Sequence, residues 1–317
     1  MSAARGPDVV AIGGGRGLSV TLRAVRSYAA YTTAVVATAD DSGSTGRLRR
    51  SMALPAPGDL RRCLAAIAGA EDGPLGQAFE YRFAGTDLEG HALGNLVIAG
   101  LAAVTGDFVV ATDEAARLLG LDPAIGRVVP ATAQPAGLRA TTADGTQVVG
   151  QFAVSKTVGI DRVTLDPAGV KAPDGLSAVI RDADQVVLGP GSVYTSILAA
   201  ALVGDLRSAL ASAAGRRVYV CNLEPEAGET QGYDVAAHVA ALRSHGVELD
   251  VVLVHDGGSD GGSMPLGEVG AGVEVVRADL ARPDGRCHDS AKLAAVLAAL
   301  THVPYSKSRP SRLTKAE

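Results

Sequence analysis

The chain has 317 residues, 47% of them hydrophobic and 20% charged, which places it among folded globular proteins and excludes a disordered or fibrous chain. Its formal net charge of −5 argues against nucleic acid as the main partner, because backbone-phosphate binding gathers Lys and Arg on one face. With 39 glycines and only 3% aromatic residues, the composition describes many tight turns around a core of small aliphatic side chains.

The opening "MSAARGPD" carries no apolar segment after its Arg, so no secretory signal is expected. An apolar run over 9–12 reads as a buried strand, and "GGGRGLS" follows it. Glycines at Gly13, Gly14, Gly15 and Gly17 would let the backbone approach a ligand and aim amides at phosphate oxygens, with the next helix adding positive potential. The spacing is neither that of a dinucleotide fold nor that of a P-loop, so a plain strand-to-helix turn is an equal reading of this loop alone. A helix over 18–29 comes next, then a strand over 33–39.

The loop "DDSGSTGRLRR" places Asp40 and Asp41 together at a strand end, followed by Arg47. Such a pair could hold Mg²⁺ or a sugar hydroxyl while Arg47 reaches a diphosphate; capping of a solvated helix by Asp41 or Ser42 is the bland alternative. From 58 to 120 the pattern is helical. Asp59 at its start reads as an N-cap or first-turn acid, and His91 and Asn95 interrupt an otherwise apolar helix. A buried Asn needs partners, either a ligand or a neighbouring loop. The stretch 127–165 turns β-rich, with a hairpin predicted around Asp144 and Gly145. Together 58–165 reads as an insertion or subdomain.

The window 186–204 is 19 residues without a charge, long enough for a membrane span. The turn Gly189-Pro190-Gly191-Ser192 breaks it, so a strand over 185–188, a turn and a buried helix over 193–203 are predicted, with no membrane span. This repeats the design of the first glycine turn. Further strands are expected over 217–221, 250–254 and 273–276, with a helix over 235–244. Between the first two lies "NLEPEAGETQGY", from Asn222 to Tyr233, whose carboxylates and amides could recognise a base or sugar. "CHDS" precedes a last helix that Asp289 or Ser290 can cap, and the tail 303–317 is expected to be flexible and basic.

Strands alternating with helices give right-handed βαβ units, hence an α/β fold with a doubly wound, mostly parallel sheet. Ligands of such sheets bind beyond the carboxyl ends of the strands. Cys63, Cys221 and Cys287 are odd in number and widely spaced, which suits reduced thiols in the cytoplasm.

The motifs "GGGRGLS", "ADDSGSTGRLR", "PGDLRRCL", "GHALGNL", "LGPGSVYTSI", "VYVCNL", "GETQGY" and "HDS" stand in the order and approximate spacing of the CofD-like family, and the chain resembles its YvcK branch, called gluconeogenesis factors. The resemblance implies a single CofD-like, Rossmann-related domain over 1–302 that binds UDP-sugars, notably UDP-N-acetylglucosamine, and a regulatory role linking carbon metabolism to cell-wall synthesis and cell shape. It implies homo-oligomers, with a Ser/Thr protein kinase and cell-wall regulatory proteins as partners. Carried over residue by residue, the nucleotide-sugar site takes Gly13, Gly14, Gly15, Gly17, Leu18, Asp40, Asp41, Arg47, Asn95, Gly189, Gly191, Ser192, Asn222 and Arg286, with Mg²⁺ on Asp40 and Asp41. The sister branch, 2-phospho-L-lactate transferase, implies the alternative of an Mg²⁺-dependent transfer from a nucleotide-diphosphate carrier. Where relatives carry an Arg used in UDP-sugar binding this chain has Cys287, with Arg286 beside it, and the family's kinase site falls on Ser290.

Overall fold

A computed structural model describes residues 6–257 and 263–301; the expected flexible tail, 303–317, lies outside the described residues. The strands in chain order are β1 (Asp8–Gly13), β2 (Tyr31–Val36), β3 (Gly126–Pro130), β4 (Gly137–Thr142), β5 (Gln147–Val149), β6 (Ile160–Asp166), β7 (Gln185–Leu188), β8 (Arg216–Val220), β9 (Val251–His255) and β10 (Glu274–Ala278). Seven of them form one parallel sheet in the order β10-β9-β8-β7-β1-β2-β3, and β5-β4-β6 form a small antiparallel sheet.

Helices fill the connections: α1 (Gly15–Val25), α2 (Gly43–Met52), α3 (Gly58–Ala68), α4 (Pro74–Glu80), α5 (Leu93–Thr105), α6 (Phe108–Leu118), α7 (Gln151–Ser155), α8 (Leu176–Asp182), α9 (Ala199–Ala201), α10 (Gly204–Ala211), α11 (Val235–Ser244) and α12 (Ser290–Thr301). A π-helical turn, Val193–Leu198, runs into α9.

Side chains alternate across a strand, so each central strand feeds two cores. Val9 and Ala11 of β1 pack with Leu22 of α1, Leu64 of α3, Ala111 of α6 and Leu297 of α12. Val10 and Ile12 face the opposite way, against Leu138, Val163, Ile180, Leu198 and Leu242. Each fully buried Leu or Ile contributes roughly 1.5–3 kcal/mol, so a sheet covered on both faces needs the continuous apolar runs the sequence supplies.

The segment 58–165, expected as an insertion, contributes to both sheets. Helix α3 packs on α1, and β3 joins the main sheet beside β2. Only β4–β6 and α7 lie outside the main sheet, packed against the face that carries Val10 and Ile12, as the predicted hairpin and its partner strand, with Thr142 and Asp144 bonded across the turn at 2.5 Å and Gly145 at φ 87°. The reason lies in periodicity: β3 is a short apolar run, locally indistinguishable from the hairpin strands.

Among the described residues no single helix is long and apolar enough to cross a membrane. The uncharged window divides as predicted into β7, a turn and a helical segment; Val193–Ala201 and Gly204–Ala211 together have the length and composition but bend by 87°, and Val193, Leu198, Leu206 and Leu210 are core residues.

Candidate functional site

From β1 the sheet grows one way through β2 and β3, and from β7 the other way through β8, β9 and β10. The crevice between β1 and β7 is therefore the topological switch point, and the two glycine turns are what follow those two strands. They touch. A methyl group on Gly17 would lie 2.0 Å from the Pro190 carbonyl oxygen, and one on Gly13 3.8 Å from Gly189. Helix α1 opens at Gly15, three residues earlier than predicted, with Gly14 extended at the N-cap and no side-chain cap. Arg16 and Gly17 of its first turn line the crevice, the helix end that receives anions, while the Gly15 amide is taken by Asp59. Leu18 does not join them: its side chain is core and its amide donates to the Gly14 carbonyl at 3.3 Å.

The second turn is held from beneath. Gly191 N donates to Asn222 Oδ1 at 2.8 Å, Ser192 Oγ to Glu226 Oε1 at 3.0 Å, and Thr21 Oγ1 to the Gly189 carbonyl at 2.6 Å. A cavity of about 630 Å³ opens here between Arg16, Gly17, Gly191, Asn222, Glu226 and the strip Asp284–His288. Arg286 and Cys287 are exposed on its rim, whereas His288 is buried with Nε2 3.2 Å from the Cys221 carbonyl. Burial pushes His288 down to about 4, so at neutral pH it is an uncharged donor that anchors the rim.

The acidic loop resolves differently from expectation. Asp40 Oδ1 accepts from Ser42 N at 3.0 Å and Ser42 Oγ at 2.8 Å, and its Oδ2 faces Gly58. Asp41 turns away: its Oδ1 accepts from Phe152 N at 2.9 Å, capping α7 from a distance of 111 residues. The two adjacent carboxylates therefore do not converge on one cation. Arg47 also points elsewhere, donating to the Glu89 carbonyl at 2.6 Å instead of reaching the crevice. Asn95 takes the loop-tying role, accepting from buried Arg61 at 2.7 Å and donating to Ser44 Oγ at 3.1 Å. Arg61 is itself fixed by Glu80 through contacts of 2.8 and 2.9 Å.

Asp59 is the residue the sequence reading undervalued. A methyl on Gly14 would lie 2.6 Å from its Oδ2, and it accepts the Gly15 amide, so α1 is capped from α3. Burial raises its carboxyl to about 6; Asp40 adds to the rise, while Arg62, 3.2 Å away, and the amide oppose it. Only a three-dimensional contact reveals this, since in sequence Asp59 is merely an acid at a helix start.

In the fourth loop Glu229 is buried to 1% exposure. Tyr194 N donates to its Oε1 at 3.4 Å, and its Oε2 has no hydrogen-bond partner among the described residues. Burial, then the neighbouring Glu226, raises Glu229 to about 8, so at neutral pH it carries a proton. A larger cavity of about 720 Å³ lies beside edge strand β3, lined by Tyr31, Thr33, Phe108, Arg127 and Leu176. It shares no residue with either glycine turn, and chemistry favours the crevice over volume.

A parallel, doubly wound sheet with two glycine turns meeting at its switch point defines a Rossmann-related α/β protein. The chain belongs to the CofD family: the family profile, described as 2-phospho-L-lactate transferase CofD, matches residues 9–286. A gluconeogenesis factor from Halalkalibacterium halodurans is 42% identical over 253 residues, covering 78% of this chain and 77% of that protein. A relative from a Nostoc species is 42% identical over 256 residues, or 79% of this chain, and the match spans 55% of that relative's length. A crystal structure of a UPF0052 family member from Bacillus halodurans superimposes with a TM-score of 0.85 at 35% identity, covering 93% of this chain and 99% of the other.

Proposed function

We propose that this protein is a UDP-sugar-binding regulator of the bacterial cytoplasm, coupling carbon metabolism during gluconeogenic growth to cell-wall synthesis and cell shape. The observation that carries the reading is the contact between the two glycine turns at the switch point. A diphosphate seated there meets the first-turn amides of α1, and the adjoining cavity beside Asn222, Arg16 and Arg286 has room for the nucleoside or sugar. Arg286 takes the part of the Arg that relatives carry one position later, where this chain has Cys287. The regulatory role follows from the resemblance to gluconeogenesis factors, one of which is the relative from Halalkalibacterium halodurans.

Isothermal titration with UDP-N-acetylglucosamine, UDP-glucose and GDP, with and without Mg²⁺, tests this directly. UDP-sugar binding with unchanged sugar after incubation is the expected result; silence from both UDP-sugars overturns the reading. Asn222→Asp keeps an acceptor for Gly191 N but sets a negative charge beside the diphosphate. It is expected to weaken binding by about a hundredfold, with Asn222→Ala nearer tenfold, as repulsion adds to the lost hydrogen bond.

A transferase of the 2-phospho-L-lactate type is the second reading, and one feature favours it. Asp59, which partly retains its proton and lies against Gly14, has the charge of Asp40 near enough to raise its carboxyl, and Asp40 Oδ2 faces the neighbouring Gly58. Mg²⁺ is commonly held by one or two carboxylates plus substrate phosphates, and Asp40 with Asp59 would serve, with Asp41 left on α7. Among the described residues no group of three or more His, Cys, Asp or Glu gathers as a complete metal cage, so the diphosphate itself would supply remaining ligands. The ion would neutralise charge on the diphosphate. Consumption of a nucleotide-diphosphate donor in the presence of Mg²⁺ would decide for this reading.

We place kinase modification at Ser290, the first residue of α12. Asp289 caps that helix, accepting from Ala291 N at 2.8 Å and Lys292 N at 3.1 Å. A phosphate on Ser290 would meet the same amides and compete with Asp289 for them. Ser290→Ala is expected to remove labelling by a Ser/Thr kinase; unchanged labelling, read by mass spectrometry, would move the site elsewhere.

A further inference from the structure

Beside the crevice lies a second cavity of about 430 Å³, bounded by α1, α3 and the turn after β10. Five arginines line it (Arg16, Arg23, Arg62, Arg82 and Arg282) against two acids, Glu71 and Glu80. The acids are already engaged: Glu71 with Arg23 at 2.7 Å, and Glu80 with the buried Arg61 behind the wall. Arg62 reaches Asp59 at 3.2 Å, and among the described residues Arg82 donates only to the Gly90 carbonyl at 3.1 Å. Arg16 and Arg282 make no ion pair with a described residue.

The wall is therefore a cluster of like charges with a positive surplus. Its repulsion is felt by Arg61, whose guanidinium is held below the ordinary range by burial and then, with Glu80 opposing, by the charges of Arg62 and Arg82. Like charges brought together around a cavity are unfavourable unless an anion joins them. The choice of residue narrows the class of anion. Every cation here is an arginine, whose planar fork binds phosphate or carboxylate through two parallel hydrogen bonds. The cavity meets the crevice through Arg16, Val20 and Cys287, which line both, yet no glycine of either turn lines it.

We infer that this arginine-lined cavity is a second anion site, taking a phosphorylated small molecule that binds beside the nucleotide-sugar and independently of the glycine turns. Arg82 and Arg282 are its specific residues, because they line this cavity and not the other. Occupancy would place a phosphate within reach of Arg16 and so raise or lower affinity at the crevice through one shared side chain.

Inorganic pyrophosphate is the probe, titrated calorimetrically at fixed ionic strength into the full chain, alone and saturated with UDP-N-acetylglucosamine. The expected result is one pyrophosphate bound per chain in the presence of the saturating UDP-sugar. In Arg82→Ala/Arg282→Ala its affinity is expected to fall by about tenfold or more, with UDP-sugar affinity held within about twofold, as befits exposed residues outside the crevice. Circular dichroism confirms that the variant folds. Equal pyrophosphate binding by wild type and variant, or displacement of pyrophosphate by the UDP-sugar in strict competition, overturns the inference. If the UDP-sugar does not bind at all, the functional reading fails separately, and pyrophosphate lost from the double variant alone still supports the second site.

Discussion

Gly17→Ala is expected to abolish UDP-sugar binding and to destabilise the protein by on the order of 2–4 kcal/mol. Position 17 is helical, within α1, where alanine would ordinarily be favoured over glycine by close to about 1 kcal/mol. The effect comes from the neighbour: the added methyl would stand 2.0 Å from the Pro190 oxygen and 2.6 Å from its carbonyl carbon. Both are main-chain atoms, with no rotamer to yield. Relief requires the two glycine turns to separate, which breaks the Thr21 bond to Gly189 and withdraws Gly191 from the crevice. Gly15→Ala makes the contrast. Its φ of 60° is left-handed, but the nearest atoms are Asp59 oxygens at 3.7 and 3.8 Å, so strain of about 1–2 kcal/mol with little steric push is expected. Chemical denaturation and calorimetry on both variants measure the difference. Equal losses from the two would show that backbone conformation, not the meeting of the turns, makes this loop bare of side chains.

That contact also marks how far the sequence could be read. The continuous apolar runs at β1, β7, β8 and β9 announced buried parallel strands, and the glycines after β1 and β7 announced turns at the ligand-bearing end. What the pattern could not show is that β1 and β7, separated by 171 residues between Gly13 and Asp184's successor Gln185, are neighbours in the sheet. Sheet order is a property of non-local pairing, and the residues whose roles were missed all depend on it. Asp40 and Asp41 adjoin in sequence, which suggests a joint role, but adjacent side chains at a strand end diverge, and Asp41 serves α7. Asp59 is the first-turn acid of α3 that the sequence indicates, and it also caps α1, which local sequence cannot show. The charge and loop of Arg47 suggest a diphosphate contact, yet the 84–91 segment intercepts it through the Glu89 carbonyl. Asn95 fared better, since a polar residue in an apolar helix demands partners, and the loop holding Ser44 supplied one.

Glu229→Gln is expected to make folding stability less dependent on pH and to stabilise the protein in mild alkali. Burial of Glu229, followed by the nearby charge of Glu226, raises its carboxyl from an ordinary 4.5 to about 8 in the folded chain. Thr195 and the Tyr194 amide oppose the rise; Tyr194, Tyr219 and His238 also face this pair, the first two held above their usual range by burial and His238 below it. His238 Nδ1 is 2.8 Å from the Asp234 carbonyl, which fixes the proton on Nδ1 and leaves Nε2 a buried acceptor with no partner among the described residues. The unfolded chain releases the Glu229 proton near 4.5, whereas the folded chain keeps it to about 8. Between those values the folded state binds more protons, so stability is fullest below 4.5 and is lost as pH rises toward about 8. Each unit of pKa displacement corresponds to about 1.4 kcal/mol, and an amide in the same crowded site recovers only part of it, on the order of 1–3 kcal/mol at pH 9. Denaturation midpoints from pH 5 to pH 9 supply the test: a variant whose midpoint falls with pH as steeply as the wild type would show that Glu229 does not hold its proton in the folded chain. Glu226→Gln separates the two causes, because it removes the repulsion and leaves the burial. The wild-type slope should persist in it, displaced to lower pH, since burial is the larger of the two.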